Sequence, residues 1–322
     1  MEDNYRRDTF IAAFVTQCTL SAVIVGLRLW SRIYMSHLGA DDIFIVLTLL
    51  LFVALTVLSV ILALNGGTRH MALLGDDMWK VVRLIYIAQP WGIMAVALGK
   101  VSAGFLIMRI INKTHKWMRV SIWVMIAITI ITNILSAVTT FTQCNPPAAL
   151  WDPVLRRTAT CWVPQVQSNI NIWTSSWNTF VDFVLALMPI RIIWGLKLRM
   201  GQRIGIIFLL SVGVFSGVCS AIKTSKLASL TERSDLTWET YSLFLWVSAE
   251  VFVIVLCASL STLKPLYDRL RGKRLDTTRS NYSSSYQLSG NVLRSKSRSA
   301  RDEFGQHVPL ASVSEEAIAH TR

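Results

Sequence analysis

Residues 43–64 read IFIVLTLLLFVALTVLSVILAL, twenty-two residues without a single charge. As a helix at 1.5 Å per residue the stretch is about 33 Å long, enough to cross a hydrocarbon core of about 30 Å. Its flanks carry boundary signals. Gly39-Ala40-Asp41-Asp42 precede it, and Asp41 or Asp42 is placed to cap the first amides of a helix. Gly66-Gly67-Thr68-Arg69-His70 follow as a turn, which makes His70 a loop residue rather than a ligand.

Six further apolar segments surround this one, at 10–34, 84–108, 117–142, 168–195, 204–222 and 241–262. The shortest still spans about 28 Å as a helix. The segment 84–108 contains Pro90 and Lys100, and a proline is tolerated in a membrane helix when neighbouring groups satisfy the freed carbonyl. The chain as a whole is 53% hydrophobic and 16% charged, where a soluble domain carries about 25% charge. These figures exclude a soluble enzyme, a secreted disulfide scaffold and a fibrous protein. The expected fold is all-α: a polytopic bundle of seven transmembrane helices with a disordered tail. Its expected parts are a short extracellular N-terminus (1–9), the membrane domain (10–262) and a basic, Ser-rich cytosolic tail (263–322). Residues 1–9 mix acidic and basic side chains with no cleavage site after them, so no signal peptide is expected.

The net charge of +13 does not imply nucleic acid, because of where the charge lies. Eleven of the 32 Lys and Arg residues fall in 263–322, and most others sit in short loops or at helix ends. That is the positive-inside pattern of a protein whose partner is the lipid bilayer. Lys264, Arg269, Arg271, Lys273 and Arg274, with the basic loops 109–116 and 196–203, place the C-terminus in the cytosol and the N-terminus outside. Lys223, Lys226 and Arg233 run against the rule. The sequons at Asn112 and Asn281 then face the cytosol, so no N-glycan is expected. The plasma membrane is preferred to an endomembrane. Residues 276–322 read as disordered, and Arg294-Ser-Lys-Ser-Arg-Ser299 suits a basophilic kinase.

Cys144 and Cys161 share the long loop 143–167, whereas Cys18, Cys219 and Cys257 fall inside apolar segments. On the oxidising side of a membrane a Cys144–Cys161 bridge is expected, the alternative being two unpaired thiols. Trp151, Pro153 and Trp162 would pack this loop as a lid, and Trp173 and Trp177 would join an interfacial aromatic belt. The cysteine spacing offers no metal site. Three ionisable residues lie well inside spans: Lys100, Asp182 and Glu250. Counted from the outer span ends, Lys100 and Asp182 lie at similar depth, about 24 and 21 Å, while Glu250 is about 14 Å deep and has no obvious basic partner. Asn133 and Asn178 can complete a polar network, Asn178 being one turn from Asp182 on the same face. This network either sets helix register or contacts a ligand directly. In the sixth segment, Gly213, Gly217 and Ala221 form a small-residue packing stripe.

Leu38-Gly-Ala-Asp-Asp42, Gly67-Thr-Arg-His70, and Lys100-Val-Ser102 running to Met108-Arg109 together resemble the fungal rhodopsin-domain family of seven-helix proteins. Gln143-Cys144-Asn-Pro146 with Trp151-Asp152 and Cys161, Asp182 with Met188-Pro189, Trp246 with Glu250, and Leu263-Lys-Pro265 extend the likeness over 10–270. Met188-Pro189-Ile190-Arg191 departs from it where a second proline is expected. The resemblance implies a receptor-like sensor of a small molecule, signalling through inner loops and tail to a G protein or another cytosolic partner. The alternative is a membrane-embedded enzyme of secondary metabolism, of cyclase or isomerase type, using Asp182 or Glu250 as proton donor. A transporter is disfavoured because the two halves show no internal repeat. No cofactor is expected. Retinal requires a lysine for its Schiff base, usually in the last helix, and 241–262 contains none.

Overall fold

The computed structural model describes residues 2–34, 38–69, 75–110, 116–193, 214–215, 217–222, 224–225 and 236–270. His70, Asn112, Asn281, the loop 196–203, Gly213, Lys223, Lys226, Arg233 and the tail beyond Leu270 lie outside the described residues. The chain divides into two units, Met1–Tyr267 and Asp268–Arg322, and everything below concerns the first.

It is an all-α membrane protein. The helices are α1 (Glu2–Tyr34), α2 (Ala40–Leu64), α3 (Met78–Ile110), α4 (Lys116–Thr142), α5 (Pro164–Ile193), α6 (helical at 214–215, 217–222 and 224–225) and α7 (Leu236–Leu270). Among the described residues, five helices are long and apolar enough to cross a bilayer: α1, α2, α3, α4 and α7. Most run past the ends that hydropathy marks. The helix α1 starts at Glu2 rather than 10, and α7 continues through Leu263-Lys264-Pro265 to Leu270. Hydropathy reports the part of a helix that sits in hydrocarbon, whereas the intrahelical hydrogen bonds persist into the polar interface.

The helix α2 shows why the bundle belongs in lipid. Its exposed face is aliphatic, with Ile43, Leu47, Leu50, Val57, Ile61 and Leu64 turned outward. Its buried face includes Asp41, Asp42, Thr48, Thr56 and Ser59. A soluble helix distributes polarity the other way. The expected capping occurs in part: the Gly39 N–H donates to the Asp42 carboxylate at 3.0 Å. The side chain of Asp41 turns into the bundle instead.

The helix α3 packs against α2, α4 and α5. A core of Phe10, Phe14, Phe52, Leu55, Val81 and Val251 ties α1, α2, α3 and α7 together. Without water to expel, such helices associate through close packing, and glycines permit it. A Cβ on Gly99 would lie 2.8 Å from Ile254 of α7, and one on Gly92 would lie 3.1 Å from Val247. Both pairs are seven residues apart, so α3 and α7 stay close over two turns. On α6, a Cβ at Gly217 would meet the Phe183 ring of α5 at 3.0 Å.

Cys144 and Cys161 are joined by a disulfide. It links two short antiparallel strands, β1 (Cys144–Asn145) and β2 (Thr160–Cys161), which flank two helical turns. Trp151 packs with Tyr86 of α3 against Cys144, Ala149 and Leu150, and the Arg83 guanidinium lies 5.8 Å from the Trp151 ring centre. The loop is thereby fastened to the start of α3. Trp162 remains 46% exposed.

Candidate functional site

One face of α5 carries Gln167, Asn171, Thr174, Ser175, Asn178 and Asp182 at helical spacing. Asn171 is half-buried and the other five are buried. Facing it, α3 contributes Lys100 and α7 contributes Glu250, which are 2% and 0% exposed.

The structure brings all five polar residues singled out from the sequence into one connected group. The Lys100 ammonium donates to Asp182 Oδ2 at 2.8 Å and to the Asn178 carbonyl at 2.8 Å. Its third neighbour is Glu250 Oε1, at 3.2 Å. Lys100 thus makes two hydrogen bonds and one further ion pair, with one carboxylate on α5 and one on α7. Asn178 and Asn133 exchange amide contacts, Nδ2 to Oδ1, at 3.1 and 3.3 Å. Asn133 also donates to the Thr129 carbonyl at 2.7 Å.

Glu250 therefore has a basic partner, contrary to the depth count. That count supposed that every span begins in one plane. Counted from the helix starts at Met78 and Leu236, Lys100 and Glu250 still differ by eight residues, so the two starts are not level. The long lysine stem takes up part of the remaining offset, and the Gly92 and Gly99 contacts let α7 close on α3. Trp177 also departs from expectation. Its indole N–H donates to Thr129 Oγ at 3.1 Å, tying α5 to α4, while Trp173 is 65% exposed.

Toward the disulfide loop, a cavity of about 390 Å³ opens among α2, α3, α4, α5 and α7. Asn133 and Asn178 line it, so the amide pair stands between the cavity and the ion triad. Leu55, Ile85, Ile93, Val96, Phe244 and Val247 form its apolar wall. The polar side comes from α4 and α5. Ser136 Oγ donates to Asn171 Oδ1 at 2.8 Å, and Gln167 Nε2 donates to the same oxygen at 3.3 Å. Among the described residues no charged side chain lines the cavity. The volume falls within the range of small-molecule sites, about 300–1,000 Å³.

Farther along α3, away from the disulfide, lies a second charge cluster that the sequence reading missed. Arg28 of α1 is 0% exposed; it donates to Asp41 Oδ2 at 2.5 Å, to Asp42 Oδ1 at 2.9 Å and to the Ala258 carbonyl. Arg32 Nη2 donates to Asp41 Oδ2 at 2.8 Å, and Arg109 approaches Asp41 Oδ1 at 3.7 Å. Ser102 Oγ donates to the Asp41 carbonyl at 2.8 Å. The signal was legible: two arginines one turn apart inside the first span, next to a loop leading to two consecutive aspartates. Reading Asp41 and Asp42 as caps alone hid it.

The family model described as the fungal rhodopsin domain matches residues 27–269. "Fugralins biosynthesis cluster protein 2" of Gibberella zeae is 25% identical over 109 residues, which are 34% of this chain and 26% of that protein. "Polyenoic acids biosynthesis gene cluster protein Ba17b" of Metarhizium anisopliae is 21% identical over 281 residues, 83% of this chain and 74% of that protein. The match to the Gibberella protein thus spans about a quarter of that relative's length. No solved structure matches the chain.

Proposed function

The chain belongs to the fungal rhodopsin domain family, and from that premise we propose that it is a receptor-like membrane protein sensing a small molecule of secondary metabolism. The observation that carries the reading is the contact between cavity and ion triad. Asn178 lines the cavity, and its backbone carbonyl accepts from Lys100. A ligand that repositions the Asn133–Asn178 pair acts on the one ammonium that joins α3, α5 and α7. Lys100, Asp182 and Glu250 set helix register, and Asn133 and Asn178 transmit occupancy to them.

In this reading the disulfide loop faces outside, together with the N-terminus, and the Arg28–Asp41–Asp42 cluster lies at the cytosolic end. The basic charge of the tail supports that orientation, with the plasma membrane as the site. A G protein or another cytosolic signalling component is the partner. The names of both relatives support the link to secondary metabolism.

A second reading, a membrane-embedded isomerase or cyclase, is favoured by the same names, which come from biosynthesis clusters. It requires Asp182 or Glu250 to reach a substrate, and the amide pair stands in the way. One experiment separates the two. The full chain in lipid nanodiscs is incubated with an apolar metabolite extract of its host, and the bound and free fractions are compared by mass spectrometry. A sensor retains a compound unchanged and in stoichiometric amount. Multiple turnovers to a new product establish the enzyme and sink the sensor.

A further inference from the structure

We propose that the cavity selects an uncharged, largely apolar molecule carrying at least one hydroxyl, which donates its hydrogen bond to Gln167 Oε1. This inference rests on the ligand-binding reading above and names the chemistry of the ligand.

The first observation is an acceptor that the protein does not use. Gln167 lines the cavity from the first turns of α5 and is 8% exposed. Its Nε2 donates to Asn171 Oδ1, while its Oε1 is buried and accepts no hydrogen bond from the described residues. A buried carbonyl oxygen left without a donor is costly, and native proteins rarely keep one without a reason. In this arrangement Asn171 Oδ1 accepts from Ser136, and Gln167 turns its NH2 end to the same oxygen.

Asn171 supplies the complement. Its oxygen is taken twice, and its own NH2 has no acceptor among the described residues. The α4–α5 side of the cavity therefore presents one acceptor and one donor a single helical turn apart. A hydroxyl satisfies both, donating to Gln167 and accepting from Asn171.

The second observation excludes charge. Among the described residues no Lys, Arg, His, Asp or Glu lines the cavity, and the nearest described cation below the amide pair, Lys100, is already held by Asp182, the Asn178 carbonyl and Glu250. A carboxylate or phosphate would be taken out of water with nothing to neutralise it. A protonated amine would meet the same penalty. The third is the opposite wall, where Leu55, Ile85, Ile93, Val96, Phe244 and Val247 offer apolar contact. An amphipathic neutral molecule fits with its hydroxyl toward α5 and its body against α2, α3 and α7.

The test uses three photoreactive probes with one common alkyl-diazirine chain, ending in a hydroxymethyl, a carboxylate or a methyl group. Each is crosslinked to the full chain in nanodiscs at a pH near 8, where a carboxylate is ionised, and labelled peptides are mapped. The alcohol is expected to label the Gln89–Val96 and Leu243–Val247 stretches saturably. The carboxylate is expected to be at least about tenfold weaker, as befits an unneutralised buried charge. In Gln167→Leu the alcohol should lose about tenfold in half-saturation, the cost of one buried hydrogen bond. The hydrocarbon probe should be unchanged in that variant, which also certifies its fold. Equal or tighter labelling by the carboxylate overturns the proposal on the unmutated protein alone. An alcohol indifferent to Gln167→Leu overturns the role of the hydroxyl. If no probe labels these stretches above the lipid-facing side of α2, the ligand-binding reading itself fails.

Discussion

Beneath the cavity one cation, Lys100, faces two carboxylates, Asp182 and Glu250. Farther along α3, three cations, Arg28, Arg32 and Arg109, surround two carboxylates, Asp41 and Asp42. Apart from Arg109 both groups are buried in an apolar bundle, but their charge redundancy is opposite. The first hangs on a single ammonium set between both carboxylates. In the second, Asp41 and Asp42 are each shared by more than one guanidinium, and Arg28 also holds the Ala258 carbonyl of α7. An arrangement without redundancy responds to a small displacement, and it adjoins the cavity. An over-connected one holds helices together.

The largest effect is expected at Lys100. Lys100→Met strands two carboxylates in a medium that cannot solvate them, at a cost on the order of 3–5 kcal/mol. Folded yield and thermal midpoint in nanodiscs should fall sharply. Lys100→Met with Asp182→Leu should recover part of the loss, because Glu250 remains. Adding Glu250→Gln should recover most of it, since an apolar or neutral replacement of a buried ion group is often tolerated. If the triple variant is as damaged as Lys100→Met, the three side chains do not act as a unit.

The disulfide provides a constraint next to the same cavity that owes nothing to charge. Cys144 and Cys161 are 17 residues apart in sequence, and closing a loop of that size stabilises by about 3 kcal/mol in the chain-entropy model. Cys144→Ser should lower the midpoint by that order, with no dependence on salt. A midpoint that matches the unaltered protein under oxidising conditions would mean the loop is held by the Trp151 contacts alone.

Arg28→Met comes next, at about 2–3 kcal/mol, because Arg32 still reaches both aspartates. The loss should appear equally at low and high salt, as expected for a pair shielded from solvent. A loss exceeding that of Lys100→Met would reverse the contrast between the two clusters.

The helical membrane fold was legible because hydrocarbon thickness imposes a length on every span, and 43–64 meets it without a charge. The disulfide was legible for a similar reason: two cysteines in one polar loop, the others in apolar segments. Lys100, Asp182 and Asn178 stand out because charges and amides are rare at that depth. What composition does not carry is relative height. The α3–α7 approach depends on Gly92 and Gly99 at a seven-residue spacing, which a search for four-residue stripes passes over. Gln167 lay just outside the marked span, in a turn read as loop, and so its place on the polar face of α5 was invisible. Arg28 and Arg32 were in view, but their partners sat across a loop and already had an adequate explanation as caps.

The smallest effect is expected at Arg109, and it tests redundancy most directly. Its guanidinium lies 3.7 Å from Asp41 Oδ1, and its side chain is 42% exposed. At that exposure the pair is screened by solvent, so its value should not exceed the range of surface ion pairs, under about 1 kcal/mol. Asp41 keeps Arg28 and Arg32 in any case. Arg109→Met should therefore shift the midpoint only slightly, and the shift should vanish in about 1 M salt, where the screening length is about 3 Å. A loss comparable to that of Arg28→Met would mean that the three arginines are not interchangeable supports. The cluster would then depend on a solvent-exposed cation, and this end of the bundle would be less firmly fixed than its buried arginines suggest.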